Sequence, residues 1–88
     1  LLSFYDGIKD IYSEFSLPVT ALVVSTESLK DIRLYSGSWY AIFDRQADIG
    51  KLKPVIQGLF KNELTGKFDR LEYIDIRFGN KVFYKLKQ

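Results

Sequence analysis

Apolar residues at the start of the chain recur at the i, i+3, i+4, i+7 spacing of one helical face: Leu1, Phe4, Tyr5, Ile8, Ile11, Tyr12 and Phe15. Asp6, Lys9, Asp10 and Glu14 fall on the other side, so the segment predicts an amphipathic helix. Leu17-Pro18 ends it, because proline lacks an amide hydrogen and pushes its predecessor out of the helical region. Val19, Ala21, Leu22, Val23 and Val24 form a short β-branched run bounded by Pro18 and Ser25-Thr26-Glu27-Ser28, which predicts a central strand. Ile32 and Leu34 alternate with Arg33 and Tyr35, Ser36-Gly37-Ser38 interrupts, and an aromatic run from Trp39 to Phe43 follows. Two strands joined by a tight turn fit that pattern. A second helical stripe runs through Ile49, Leu52, Val55, Ile56, Leu59 and Phe60, with Asp48 as N-cap and Gly66 as terminator. Pro54 within it predicts either a helix that begins near the proline after one loose turn or a kink.

The last segment alternates most regularly. Ile74, Ile76 and Phe78 alternate with Tyr73, Asp75 and Arg77, and beyond Gly79-Asn80 the pattern resumes as Val82, Tyr84 and Leu86 against Lys81, Phe83, Lys85 and Lys87. A two-residue loop would set Phe78 opposite Lys81 and Ile74 opposite Lys85, placing ammonium groups on the apolar face. A three-residue loop pairs 78 with 82, 76 with 84 and 74 with 86, so the sequence favours it, with Gly79 or Asn80 at positive φ. If those pairs are hydrogen-bonded, the backbones of Phe83, Lys85 and Lys87 face the open edge. The elements together predict one α+β domain over residues 1–88, in the order αβββαββ. Two helices would cover one face of a mixed or antiparallel sheet of about five strands.

A chain of 88 residues and 10.2 kDa should fold to about 5,300 Å² of surface, burying about 64% of what the unfolded chain exposes, so a core without staples is expected. Cysteine and histidine are both absent. Disulfides, thiolate sites, serine triads and most transition-metal chemistry are thereby excluded, and binding becomes the leading class. The carboxylates show no catalytic spacing and scatter between apolar positions as solvated faces do. Glycines at 7, 37, 50, 58, 66 and 79 are spread singly rather than clustered in a phosphate loop, and Asp69, Glu72 and Asp75 lack calcium-loop spacing. No catalytic residue, cofactor or metal is expected. No apolar run is long enough to cross a bilayer, and the start on Leu1-Leu2 suggests a fragment of a longer polypeptide or a processed product.

Charge is uneven. Residues 77–88 hold Arg77, Lys81, Lys85 and Lys87 with no acid, whereas the rest of the chain carries more acids than bases. The last strand is therefore a basic edge. With Tyr73 and Phe83 on the same outward face it has the aromatic-plus-cation character of surfaces that stack single-stranded nucleic acid, although lysines on an edge strand also guard against unwanted pairing. Trp39, Tyr40 and Phe43 fit a core better than an interaction patch. Asp75 and Arg77 share a face at i, i+2, either as a structural ion pair or as charges for a partner. The first helix suits packing on the sheet more than a membrane surface.

Tyr73-Ile74-Asp75-Ile76-Arg77-Phe78 followed by Gly79-Asn80-Lys81-Val82 resembles the signature, turn and last strand near the end of the FtsQ/DivIB bacterial cell-division proteins. Upstream the similarity takes in a strand ending in Ser36-Gly37, an aromatic-apolar strand, and the Ile49 to Phe60 helix with Lys51-Leu52. Ile76 stands where the family usually has leucine and Phe78 where many members have tyrosine. The resemblance implies the C-terminal β domain of such a protein, without its small POTRA domain, transmembrane helix and cytoplasmic tail. It further implies a non-enzymatic scaffold on the extracytoplasmic side of the cell membrane at the division septum, which gathers FtsB/DivIC and FtsL. Carried over by position, the partner-binding residues would be Arg77, Phe78, Lys81, Val82, Phe83 and Tyr84. Lys85 joins them from the basic edge. Capture would proceed by strand addition, with the lysines favouring an acidic partner strand.

Overall fold

The computed structural model describes residues 2–25, 31–44, 48–78 and 81–88. Helix α1 (Leu2–Glu14) precedes strands β1 (Ala21–Val24), β2 (Asp31–Ser36) and β3 (Trp39–Asp44). Helix α2 (Ile49–Asn62) and a 3-10 turn (Phe68–Arg70) lead to β4 (Leu71–Phe78) and β5 (Lys81–Leu86). The strands form one sheet in the order β1-β2-β3-β4-β5. Every neighbouring pair is antiparallel except β3 and β4, which run parallel. A parallel pair cannot be closed by a hairpin, and α2 is the crossover between them. This is the α+β arrangement expected from the sequence, with an accessible surface of 5523 Å² close to the size expectation.

Period-2 alternation decides the two faces. Ile32, Leu34, Trp39, Ala41, Phe43, Ile74 and Ile76 point to the helices and are buried with Ile8, Ile11 and Tyr12 of α1 and Leu52, Ile56, Leu59 and Phe60 of α2. At about 1.5–3 kcal/mol for each fully buried large side chain, this layer is the main favourable term of the fold. Rings interlock at its centre: Tyr12 lies 5.4 Å from Trp39, Phe15 packs edge-on against Phe60 at 5.4 Å, and Phe60 edge-on against Phe68 at 5.3 Å. The Tyr12 hydroxyl donates to the Leu34 carbonyl at 3.0 Å. Burial raises its pKa far above the ordinary phenol value, offset only in part by a backbone hydrogen bond from Ala41.

The helix ends have local causes. At the end of α1, Ser16 adopts φ 57° while its N–H donates to Ser13 O and that of Leu17 to Tyr12 O. These two bonds are those of a Schellman cap, with serine in the position glycine usually takes and Pro18 just beyond. Asp48 caps α2 by accepting from Gly50 N at 2.9 Å. The helix runs through Pro54 as one element, since its first turn is completed by Lys51 and Leu52 donating to Asp48 O. Gly66 does not terminate it. The helix stops at Asn62, with Glu63 and Leu64 both donating to Leu59 O, and Gly66 supplies positive φ in the following turn.

Two strand expectations are corrected. First, β1 is an edge strand rather than a central one, because β2 occupies only one of its sides and all four of its residues are exposed. Second, the β4–β5 hairpin has a two-residue loop, with Phe78 paired to Lys81. The loop residues 79 and 80, and with them the expected positive φ, lie outside the described residues. Further along, Asp75 pairs with Phe83, Ile74 with Tyr84 and Tyr73 with Lys85. Ile76 and Arg77 therefore share one opposing residue, Val82, and this bulge restores the parity that the short loop would have broken. A second extra residue, Glu72, lies between the pairs Leu71–Leu86 and Tyr73–Lys85.

The register also reverses the expected backbone orientation of β5. A pair closing a two-residue loop exchanges both backbone hydrogen bonds, so Lys81 faces β4. Lys87 N donates to Arg70 O at 2.6 Å, so it faces β4 as well. Both extra residues are on β4, and plain alternation along β5 turns Phe83 and Lys85 inward too. The outward N–H groups belong to Val82, Tyr84 and Leu86.

Lys85→Pro should therefore be destabilised by about 1–3 kcal/mol relative to Lys85→Ala, since it deletes an inward ladder donor and strands its acceptor. Urea unfolding of the two variants measures the difference, and equal stabilities would place Lys85 N outward. A second contrast concerns the helices. A Cβ on Gly7 would lie 2.5 Å from Ile49 Cγ1, whereas one on Gly58 meets nothing within 4 Å. Gly58→Ala should gain about 0.5–1 kcal/mol, while Gly7→Ala should lose about 1–3 kcal/mol because α1 and the stiff, β-branched Ile49 must move apart.

Candidate functional site

The β4 bulge brings three charged groups together on the sheet face that no helix covers. Asp75 and Arg77 project to this face from β4, and Asp31 from β2. Arg77 grips Asp75 with two side-chain bonds, Nε to Oδ1 at 2.9 Å and Nη2 to Oδ2 at 2.7 Å. Its backbone N–H adds a third, to Oδ1 at 3.1 Å. Nη1 reaches Asp31 Oδ2 at 3.2 Å. Asp75 is only 8% exposed. Its burial alone would raise the carboxyl pKa, but the side-chain and backbone hydrogen bonds of Arg77, and its charge, outweigh that and hold it below the ordinary value. The hydrogen bonds that Arg77 donates to Asp75 are the largest cause that raises the Arg77 pKa. Of the two roles left open for this i, i+2 pair, the ion pair is what forms.

Beside it stand tyrosines from three adjacent strands. Tyr35 and Tyr40 are cross-strand partners with centroids 5.2 Å apart, and Tyr40 and Tyr73 stack at 6.0 Å. The Arg33 guanidinium sits 4.7 Å above the Tyr40 ring, an exposed contact worth about 0.5–1 kcal/mol. Arg33, Tyr40 and Tyr73 line a cleft of about 230 Å³ with Ser25, Asp31, Ile42, Asp75 and Arg77. Tyr40 and Tyr73 thus turn one ring face toward each other, while Tyr35 meets Tyr40 at a tilt.

Each sequence-derived site residue can now be placed. Lys81, Val82, Phe83, Tyr84 and Lys85 lie consecutively on β5, one of the two sheet edges. Lys81, Phe83 and Lys85 are exposed toward the open face, and Phe83 is 51% exposed. Val82 and Tyr84 are half-buried against the core. Lys85 pairs with Glu72 at 3.4 Å. Phe78 closes the hairpin opposite Lys81. Arg77 stands apart from this group, one strand in and held by two carboxylates. The Asp31 link and the Tyr35–Tyr40–Tyr73 row escaped the sequence, whose alternation set Arg33 and Tyr35 on one face but whose aromatic run read Tyr40 as core. Trp39 and Phe43 are core, while Tyr40 lies on the open face. Among the described residues no group of three or more acidic side chains could hold a metal ion.

Asp75 gives the site a pH dependence with a definite sign. Its folded pKa is depressed, so its contribution is fully present above the unfolded value of about 3.9 and disappears as pH falls through the lower folded value. Asp75→Asn should cost about 1–3 kcal/mol at pH 7 and flatten the loss of stability below about pH 4. Unfolding midpoints of both proteins from pH 7 to pH 2 test this, and curves that stay parallel would remove Asp75 as the cause.

Compared with protein-family models, curated proteins and solved structures, the chain shows no match.

Proposed function

We propose that this domain is a non-enzymatic protein-interaction module of the FtsQ/DivIB type, which captures an extended partner segment by strand addition to β5. The observation that carries the proposal is the free edge itself. β5 ends the sheet, and the N–H and C=O groups of Val82, Tyr84 and Leu86 point away from β4 with no strand beside them among the described residues. A partner strand can form backbone hydrogen bonds at those positions, which supply affinity, while alternate side chains select the sequence. On the open face the partner meets Lys81, Phe83 and Lys85, and on the other the half-buried Val82, Tyr84 and Leu86. The matching segment carries acids two residues either side of an apolar one, with apolar residues between.

The resemblance of residues 73–82 to the division-protein signature supplies the identity of the partners: the extracytoplasmic segments of FtsB/DivIC-like and FtsL-like proteins. In that setting the domain works at the septum on the outer side of the cell membrane, anchored through a helix in another part of the protein. Among the described residues no helix is long and apolar enough to cross a membrane. Single-stranded nucleic acid ranks second. Tyr73, Phe83 and the cations favour it, but Lys85 is matched by Glu72 and Arg77 by Asp75 and Asp31. A polyanion needs uncompensated charge and free ring faces.

Methylating the backbone nitrogen of Tyr84 in a synthetic chain removes an outward donor while keeping the phenol ring. The variant should keep the parent's unfolding midpoint yet bind an acidic extended segment of an FtsB/DivIC-like protein at least about tenfold more weakly, a change of about 1.4 kcal/mol. Undiminished binding would remove β5 as the docking edge. Oligonucleotide binding that persists at physiological salt would favour the second ranking.

A further inference from the structure

The other edge of the sheet has the opposite character. Leu22, Val23 and Val24 are 46%, 46% and 42% exposed, and these three consecutive residues of β1 stand among the few large apolar side chains exposed in the described residues. β1 contains no charge and no proline, which are the usual guards of an edge. Ser25 N donates to Asp31 O at 3.0 Å, so Ser25 faces β2. Alternation turns Ala21 and Val23 the same way and leaves the backbone groups of Leu22 and Val24 pointing outward.

We propose that β1 is a self-association edge, to which a second copy of this chain adds its own β1 antiparallel about a two-fold axis at Val23. Charge chooses this occupant. At a two-fold axis each residue meets its own kind, which lets a neutral edge pair with itself and sets β5, with Lys81, Lys85 and Lys87, against itself. Register follows from the outward groups. Pairing Leu22 with Val24 of the second copy, twice, satisfies all four outward N–H and C=O sets. A register centred on Leu22 would instead call on Thr20, whose N–H is already given to Tyr35 O at 2.9 Å. Val23 then meets its symmetry mate directly on the open face, as a pair without mutual hydrogen bonds, with Cα atoms about 4.5 Å apart. Arg33, its neighbour on β2, leans away from the axis onto Tyr40. Four-residue strands bury far less than the roughly 1,200 Å² of a stable interface, so the dimer is weak and concentration-dependent, and it leaves β5 free.

The absence of cysteine makes the test clean. In Val23→Cys the two sulfurs fall within disulfide reach, whereas in Val55→Cys, on exposed α2 surface, they do not. Under mild oxidation the first should form covalent dimer at least about tenfold faster. Sedimentation of the parent should show a reversible dimer as concentration rises, weakened at least about tenfold in Val23→Lys, where like charges would face each other. Circular dichroism of each variant checks that the fold is kept. Cross-linking no faster at 23 than at 55 overturns the proposal. So does a parent that stays monomeric at millimolar concentration, or a dimer indifferent to Val23→Lys, which would mean that β1 meets a different chain or none.

Discussion

The placement of one extra residue in β4 governs most of what this domain presents to solvent. In a strand of period 2, the residue opposite a given position decides which face each side chain takes. The two-residue loop that pairs Phe78 with Lys81 would, without correction, line up Ile74 with Lys85. Ile76 and Arg77 opposite Val82 shift the register by one, so that Ile74 meets Tyr84 and Asp75 meets Phe83. The lysines of β5 thereby stay on the open face while Val82, Tyr84 and Leu86 pack on the core. The same bulge carries Arg77, and the bidentate grip of Arg77 on Asp75 ties the irregular backbone to a nearly buried carboxylate.

The two sheet edges differ in kind. β5 is polar on one face and apolar on the other, with its lysines standing clear of any like strand. β1 is short and neutral. Shortness is itself a guard against aggregation, and here it is the main one that β1 has. A sheet with edges so unlike can meet two different neighbours without competition between them, because the same surface rule, charge against charge and neutral against neutral, sorts them.

Between the edges, the uncovered face is balanced rather than basic. Arg77 answers Asp75 and Asp31, Lys85 answers Glu72, Tyr40 stacks on Tyr73 and Tyr35 packs at a tilt against Tyr40. The more exposed pairs, Arg77–Asp31 and Lys85–Glu72, contribute little each. What they do is balance the charge of the face between the edges.

Much of this was legible along the chain. The periods of 3.6 and 2 located both helices and the strands, Asp48 announced its cap, and the burial of Ile8, Ile11, Tyr12, Leu59 and Phe60 follows from their stripes. The resemblance of residues 73–82 to a division-protein signature and the basic composition of the last strand drew attention to β5 from sequence alone. Periodicity cannot say which strand lies beside which, so β1 read as central when only β2 reaches it. Nor can it count a bulge, because an inserted residue looks like any other until its partner strand is laid alongside. The expected loop length and the β5 register turned on that one residue, and the direction of the β5 backbone groups followed from the loop length. The link from Arg77 to Asp31, far apart in sequence, likewise exists only because β3 brings β2 and β4 to either side of itself. Local pattern is written in neighbours along the chain, whereas edges, register and cross-sheet charge pairs are properties of neighbours in space.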